Sequence, residues 1–92
     1  MGRMTPLFRR KPSVPKHVTL IGKPDCHLCE DAEAVVARVC GELDVVWEKK
    51  DIQQDAALHD AYWEQIPVVL VDGKQHTFWR VDEARLRKAL TS

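Results

Sequence analysis

From His17 onward the chain alternates between two hydrophobic patterns, one typical of strands and one typical of helices. Short runs of β-branched and other apolar residues, bounded by Gly, Pro or Asp, predict four strands. Apolar residues that recur every three or four positions predict three helices. The predicted strands are residues 17–22, 44–52, 67–71 and 75–80, and the predicted helices are residues 27–43, 54–63 and 83–90.

Turn and capping residues mark the ends of these elements. Gly41 is expected at the end of the first helix, because glycine commonly follows the last helical residue. Asp72-Gly73 is the strongest hairpin signal in the chain and joins the last two predicted strands. Asp82 precedes the final helix and is expected to cap its N-terminus.

The order of the predicted elements is βαβαββα. A strand–helix–strand opening implies a right-handed parallel crossover, and the closing hairpin adds two antiparallel strands. The sequence therefore predicts an α/β fold in which helices pack on both faces of a four-stranded mixed sheet. Trp47, on a central strand, is expected to fill the core. Trp79, on the last strand, is expected either to line the groove of a functional site or to pack against the final helix, and packing is favoured for so large a side chain.

Length and composition limit what such a chain does. Its 92 residues and 10.5 kDa allow one domain. The 14 basic and 14 acidic residues, with a pI near 6.9, argue against a nucleic-acid-binding protein. No apolar run approaches the roughly 20 residues of a membrane helix. Three cysteines are too few for a disulfide-stapled secreted scaffold, so a cytoplasmic location is expected.

The balanced charge conceals a basic N-terminal segment. Residues 1–16 hold five basic residues, no acidic residue and three prolines, which oppose helix formation. They lack the apolar run of a secretory signal. We expect residues 1–16 to form a flexible basic arm and residues 17–92 to form the folded domain.

Two cysteines carry the candidate chemistry. Cys26 and Cys29 form a C-x-x-C motif where the first predicted strand leads into the first helix. Free N–H groups and the helix dipole stabilise a thiolate at a helix N-terminus, which makes Cys26 the expected nucleophile of thiol–disulfide exchange. Cys29, one turn further on and partly buried, is expected to resolve the mixed disulfide.

Neighbouring residues leave alternatives open. A protonated His27 would stabilise the thiolate further, or it is simply an exposed residue of the first turn. The negative charge of Asp25 disfavours a thiolate, and the positive charge of Lys23 compensates for it.

The competing interpretation of the C-x-x-C is half of a zinc site, which would need further ligands from elsewhere in the chain. The remaining candidates are isolated in sequence, and the cysteine among them is expected in the core: Cys40, His17, His59 and His76.

Ile66 and Pro67 open the third predicted strand. Proline is tolerated there, because the first residue of a strand needs no N–H in the ladder. The functional interpretation is a cis Ile66–Pro67 bond that turns the backbone of Ile66 toward a substrate disulfide.

Several stretches of this chain together resemble one family. They are Lys23-Pro24-Asp25-Cys26-His27-Leu28-Cys29, then Ile66-Pro67-Val68-Val69, then Val71-Asp72-Gly73. These stretches resemble glutaredoxin-like proteins of the thioredoxin superfamily. The run K-P-D-C-H-L-C-E-D-A and the late pattern F-W-x-V-D-E-x-x-L-x-x-x-L resemble, more narrowly, a small bacterial glutaredoxin-like family. The resemblance covers residues 17–90.

The resemblance implies a thioredoxin-like (glutaredoxin-like) fold and a role for each matching residue. Cys26 would attack and Cys29 would resolve. Pro67 would be the cis-proline opposite the pair, and Ile66 would offer backbone groups to a bound peptide or glutathione. Lys23 occupies the place of a basic residue that meets a glutathione carboxylate.

Two stretches depart from the usual glutaredoxin pattern. Glutaredoxins carry a proline and an aromatic residue between the cysteines, where this chain has His27 and Leu28. They also carry a Gly-Gly pair before the last helix, where this chain has residues 78–81, Phe-Trp-Arg-Val.

The sequence thus predicts a thiol–disulfide oxidoreductase with no bound cofactor or metal. Its electrons would come from glutathione or a thioredoxin-type reductase system, its substrate would be a protein or small-molecule disulfide, and it is expected to be a monomer. Two alternatives of other classes are a non-enzymatic module that holds a soft metal ion through the C-x-x-C, and an adaptor in which the pair is idle. The substrate-binding candidates are Lys23, His27, Ile66 and Pro67.

Overall fold

The computed structural model describes residues 16–91, in which seven regular elements follow the predicted order. The four strands are β1 (His17–Gly22), β2 (Val46–Asp51), β3 (Val68–Val71) and β4 (Lys74–Phe78). The helices are α1 (His27–Leu43), α2 (Ala56–Tyr62) and α3 (Glu83–Thr91), with a 3-10 turn at Ile52–Gln54. Residues 1–15 of the expected arm and Ser92 lie outside the described residues.

The four strands form one sheet in the order β2-β1-β3-β4. β1 and β2 are parallel, whereas β1 with β3 and β3 with β4 are antiparallel. This mixed sheet and the βαβαββα order are those of a thioredoxin-like fold, as predicted. One expectation was wrong: β2 is an edge strand, so Trp47 lies at the edge of the sheet and is only partly buried against the core.

Hydrophobic side chains fill both faces of the sheet. On one face Val18 and Leu20 of β1 pack with Val36 and Val39 of α1 and with Leu86 of α3, all of them at most 1% exposed. The opposite face is smaller, because α2 has no fully buried residue of its own. It is formed by buried residues of the sheet and the 3-10 turn with partly buried ones of α2: Ile21, Ile52, Val68, Leu58 and Tyr62. The prediction of helices on both faces is therefore confirmed.

The end of α1 differs from the prediction. Gly41 stays inside the helix, which continues to Leu43. Asp44 ends it, with a left-handed φ of 58° and an N–H that bonds to the carbonyl of Cys40. Aspartate adopts this conformation more often than most residues, since its short polar side chain can hydrogen-bond locally. Val45 also donates its N–H to the Cys40 carbonyl, at 2.9 Å, and β2 begins at the next residue.

The starts of α2 and α3 are set by aspartate caps. Asp55 accepts from the N–H groups of Ala57 and Leu58, and α2 begins two residues later than predicted because residues 52–54 form the 3-10 turn. Asp82 accepts from the N–H of Arg85 at 3.1 Å, which confirms its predicted capping role.

β4 ends earlier than predicted, at Phe78, because Trp79 takes a left-handed φ of 66° and turns the chain out of the strand. The backbone N–H of Trp79 donates to the carbonyls of Gln65 and Pro67. Its indole Nε1 donates to the Glu64 carbonyl at 2.9 Å, and the residue is 55% exposed. These bonds hold Trp79 to the segment after α2, and its packing against the final helix stays a prediction.

Candidate redox site

The C-x-x-C motif lies at the N-terminus of α1, after a sharp turn from β1. Asp25 has a left-handed φ of 59°, and Cys26 then takes an extended conformation as the N-cap of the helix. The Cα atoms of Cys26 and Cys29 lie 5.1 Å apart, and the two sulfurs form a disulfide. Cys26 is half-buried, whereas Cys29 is only 7% exposed. This asymmetry matches the expected division into an attacking and a resolving cysteine.

The helix terminus solvates the sulfur of Cys26. The backbone N–H of Cys29 donates to Cys26 Sγ at 3.2 Å, in the place where serine or aspartate oxygens cap other helices. The first turn of a helix also carries partial positive charge from its unpaired N–H groups. A thiolate released at Cys26 therefore receives a hydrogen bond and a favourable dipole without any movement of the backbone.

Gly22, the last residue of β1, lies against Cys29. A Cβ added at Gly22 would come within 2.9 Å of Cys29 Sγ and 3.2 Å of Cys29 Cβ. Real Cβ atoms do not approach a sulfur so closely, so only glycine leaves room for Cys29 here. In the sequence pattern Gly22 marks only the end of a strand, and the one signal of this contact was a glycine four residues before the motif.

A cavity of about 330 Å³ adjoins the buried side of the pair, between the start of α1 and the end of β2. Gly22, Lys23 and Cys29 line it, and Lys23 is exposed there. On its far wall Lys49 Nζ pairs with Glu33 Oε1 at 2.9 Å. The structure thus brings Lys23 close to the cysteine pair, where the sequence placed it as a candidate.

His27 is almost completely exposed, with 99% of its side-chain surface accessible. Its Nδ1 lies 4.0 Å from Glu30 Oε1, a distance at which a protonated imidazole would form an ion pair. The side chain thus lies over the first turn of α1 beside an acidic neighbour.

Ile66 and Pro67 lie at the end of the sheet from which the C-x-x-C turn departs. Val68 pairs with Ile21, so the preceding Pro67 lies beside the end of β1, from which the C-x-x-C turn departs. The Ile66–Pro67 bond is cis, as the functional interpretation predicted. Pro67 is fully buried, and Ile66 packs partly buried against Ile21 and its neighbours.

The candidate zinc ligands do not assemble. Within residues 16–91 no three His, Cys, Asp or Glu side chains come together in a way that would hold a metal ion. His17 lies 3.4 Å from Glu48, and His59 stacks on Trp63. Cys40 is a free thiol, 1% exposed in the core as expected, and burial raises the pKa of that thiol.

Comparison with known proteins identifies the family. Residues 17–91 match the Glutaredoxin-like domain (DUF836). The chain belongs to this family. An uncharacterized protein of Mycobacterium tuberculosis is similar to this glutaredoxin-like chain, with 32% identity over 75 residues that cover 76% of this chain and 77% of the relative.

Two solved structures resemble this glutaredoxin-like chain. A structural genomics target protein from X. campestris is 33% identical, with a TM-score of 0.66 over 79% of this chain and 93% of its own. A thioredoxin variant from Halobacterium salinarum is 25% identical, with a TM-score of 0.61 over 82% of this chain and 71% of its own. The family assignment and the fold therefore agree with a glutaredoxin-like member of the thioredoxin superfamily.

The stretch that departs from glutaredoxins keeps one backbone property of glycine. Trp79 lies in the stretch, residues 78–81, in which the resemblance implies a Gly-Gly pair, and its φ of 66° lies in the region that glycine adopts most easily. Its N–H and indole hold it to the turn after α2. This glutaredoxin-like chain therefore has an indole where the usual pattern has no side chain.

Across the described residues no helix is long and apolar enough to span a membrane.

Proposed function

We propose that this protein is a thiol–disulfide oxidoreductase in which Cys26 is the nucleophile and Cys29 the resolving cysteine. The observation that carries the proposal is the N-cap position of Cys26, whose sulfur accepts the Cys29 N–H at 3.2 Å while Cys29 itself is buried. Membership of the glutaredoxin-like family and the thioredoxin-like fold support a redox function.

The proposed cycle conserves two electrons. The Cys26 thiolate attacks one sulfur of the substrate disulfide, a Cys26–substrate disulfide forms, and the other substrate sulfur leaves as a thiolate that takes up a proton. Cys29 then loses its proton and attacks Cys26 Sγ, which releases the second substrate thiol and leaves the Cys26–Cys29 disulfide. A dithiol or two molecules of a monothiol, oxidised in turn, reduce the pair again.

Four residues around the pair are proposed to hold the substrate. The backbone of Ile66, before the buried cis Pro67, would pair with the substrate segment next to its disulfide. Lys23 borders the cavity beside Cys29 and would meet a negative group of the substrate. His27, which directly follows Cys26 and is exposed on the first turn of α1, would also contact the substrate.

The proposal also includes the electron donor, the cellular compartment and the oligomeric state. Glutathione or a thioredoxin-type reductase system would supply the electrons, and no tightly bound cofactor takes part. The free thiol of Cys40 is compatible with a reducing compartment such as the cytoplasm. We propose that the protein works as a monomer.

A set of three variants tests the assignment of roles. Cys26→Ser is expected to abolish reduction of a model peptide disulfide, and Cys29→Ser to trap a Cys26–peptide disulfide that mass spectrometry detects. Cys40→Ala is the matched control and should keep wild-type turnover, because Cys40 lies in the core away from α1's N-terminus.

Three other outcomes would count against the proposal. Turnover by Cys26→Ser at the wild-type rate would refute it. Inactive wild-type protein that binds one Cu(I), lost in Cys29→Ser, would favour the soft-metal module. Full complementation of a deletion strain by the double Cys26→Ser, Cys29→Ser variant would favour the adaptor.

A further inference from the structure

A wide pocket of about 810 Å³ opens between β4 and the start of α3. We call it the β4–α3 pocket and define it by Leu28, His76, Thr77, Arg80 and Arg85. Leu28 lies between the two cysteines in sequence and is 41% exposed. A group bound in this pocket would therefore contact the residue between Cys26 and Cys29.

An irregularity in β4 builds the floor of the pocket. Val69 pairs with Thr77 but Leu70 pairs with Gln75, so His76 is an extra residue in the strand. Successive residues of a regular strand point to opposite faces, whereas a bulge turns two neighbours toward one side. His76 and Thr77 accordingly both line the β4–α3 pocket.

The floor carries two polar atoms whose hydrogen-bonding capacity is unused. His76 Nε2 and Thr77 Oγ1 are buried and have no partner among the residues that the structure describes. Thr77 as a whole is 8% exposed. Leaving a buried polar atom unpaired destabilises the fold, so such atoms in a pocket point to a polar ligand group.

The charge of the pocket favours an anion. Arg85 lines the pocket, and the pKa of His76 is lowered by burial and secondarily by the charge of Arg85. Arg80 adds a second positive charge at the rim. Asp82, the one acidic residue lining the pocket, already accepts the backbone N–H of Arg85. A carboxylate matches the fork of a guanidinium with two parallel hydrogen bonds.

We propose that the β4–α3 pocket binds an acidic side chain of a polypeptide whose disulfide is attacked by Cys26. This inference rests on the proposed oxidoreductase function and names its substrate class. A polypeptide fits better than a small disulfide, because the pocket continues across Trp79 into a second hollow lined by Val35 and Val81. That extended, partly apolar surface suits the residues flanking an acidic side chain.

The test compares two peptides that contain the same disulfide and differ only in one residue near it, Glu or Gln. Wild-type protein is expected to reduce the Glu peptide with a kcat/KM about tenfold or more above the Gln peptide, the effect of a charge-assisted hydrogen bond. Arg85→Gln and Thr77→Val should bring the ratio close to one. Lys88→Gln, which removes an exposed charge from the same helix, should keep the wild-type ratio.

Thermal unfolding supplies a second readout. Thr77→Val replaces an unpaired buried hydroxyl by a methyl of similar size, so its Tm should equal or exceed that of the wild type while the Glu/Gln ratio falls. A lower Tm, or a wild-type ratio retained in both Thr77→Val and Arg85→Gln, would overturn the inference.

Further outcomes separate this inference from the proposed function. Equal reduction of both peptides by the wild type would overturn the pocket assignment and leave the oxidoreductase intact. An Arg85-dependent rate seen with oxidised glutathione but with neither peptide would overturn the polypeptide assignment. Failure to reduce any of these disulfides would refute the proposed function itself.

Discussion

Gly22 and Cys29 are in contact across the turn that joins β1 to α1, and the missing side chain of Gly22 is what makes room for the sulfur of Cys29. A Cβ at residue 22 would lie 2.9 Å from Cys29 Sγ. The disulfide form is the more sensitive to this contact, because a bonded sulfur cannot rotate away as a free thiol can. Gly22 is therefore tied to the resolving step rather than only to the end of a strand.

Gly22→Ala is expected to make the Cys26–Cys29 disulfide less stable relative to the dithiol. Overpacking in a filled site costs about 1–3 kcal/mol, which corresponds to a shift of roughly 20–60 mV toward a more oxidising potential. Redox titration with thiol alkylation measures the midpoint, and stopped-flow mixing should show a longer-lived mixed disulfide at Cys26.

Gly41→Ala is the control for this substitution. Among the described residues nothing lies within 4 Å of a Cβ at residue 41, which is exposed on α1 and lies far from Cys26 and Cys29 in sequence. Its midpoint potential should equal that of the wild type. A Gly22→Ala protein with the same potential and the same resolving rate as Gly41→Ala would disprove the steric role of Gly22.

The end of α1 offers a prediction about stability. Asp44 holds a left-handed φ of 58°, which glycine adopts without steric cost. Asp44→Gly should therefore raise the free energy of unfolding by about 0.5–1 kcal/mol, and Asp44→Ala should lower it. Urea unfolding followed by circular dichroism measures both. A destabilised Asp44→Gly would show that the carboxylate itself stabilises the helix end.

The residues involved show why the fold was predictable and parts of the site were not. A long helix such as α1 can be recognised from the local sequence, because apolar residues such as Ala32, Val36 and Val39 recur at helical spacing. The Asp72-Gly73 turn likewise indicates the hairpin. The N-terminal position of Cys26 follows from the same local pattern. These signals need no knowledge of distant neighbours.

Features that depend on contacts between distant elements were missed. The partner of Gly22 is Cys29 on another element, and glycine at a strand end carries no sign of that neighbour. Trp79 leaves the strand because its N–H bonds to carbonyls of residues 65 and 67, which no local pattern reveals. The extra residue His76 in β4 is likewise visible only once the register with β3 is known.

The buried thiol of Cys40 leads to a prediction about reactivity. Burial raises its pKa and only 1% of its surface is exposed, so it should resist alkylation in the folded protein. In fully reduced protein at pH 8, iodoacetamide should modify Cys26 within minutes and leave Cys40 unmodified, as read by peptide mass spectrometry. Denaturation in urea is the positive control, in which all three cysteines should react. Rapid labelling of Cys40 without urea would contradict its placement in the core.

An exposed ion-pair network between α1 and α3 predicts a specific dependence of stability on pH. Glu83 accepts hydrogen bonds from Arg38 and Arg87, which hold the pKa of its carboxyl below the ordinary value of 4.5. Because the folded-state pKa is depressed, this contribution is fully present above about pH 5 and is lost as the pH falls through the folded-state value. Glu83→Gln should therefore be less stable than the wild type at pH 7, and the difference should shrink below pH 4.

Urea midpoints at pH 7, 5 and 3.5 at low salt test this dependence. The effect should be small and should weaken in 0.5 M NaCl, because the groups are exposed and screened by solvent and ions. Glu64→Gln is the control, since the side chain of Glu64 makes no ion pair within residues 16–91. A Glu83→Gln deficit that stays constant from pH 7 to pH 3.5 would mean that the side chain stabilises the helix pair by packing, not by charge.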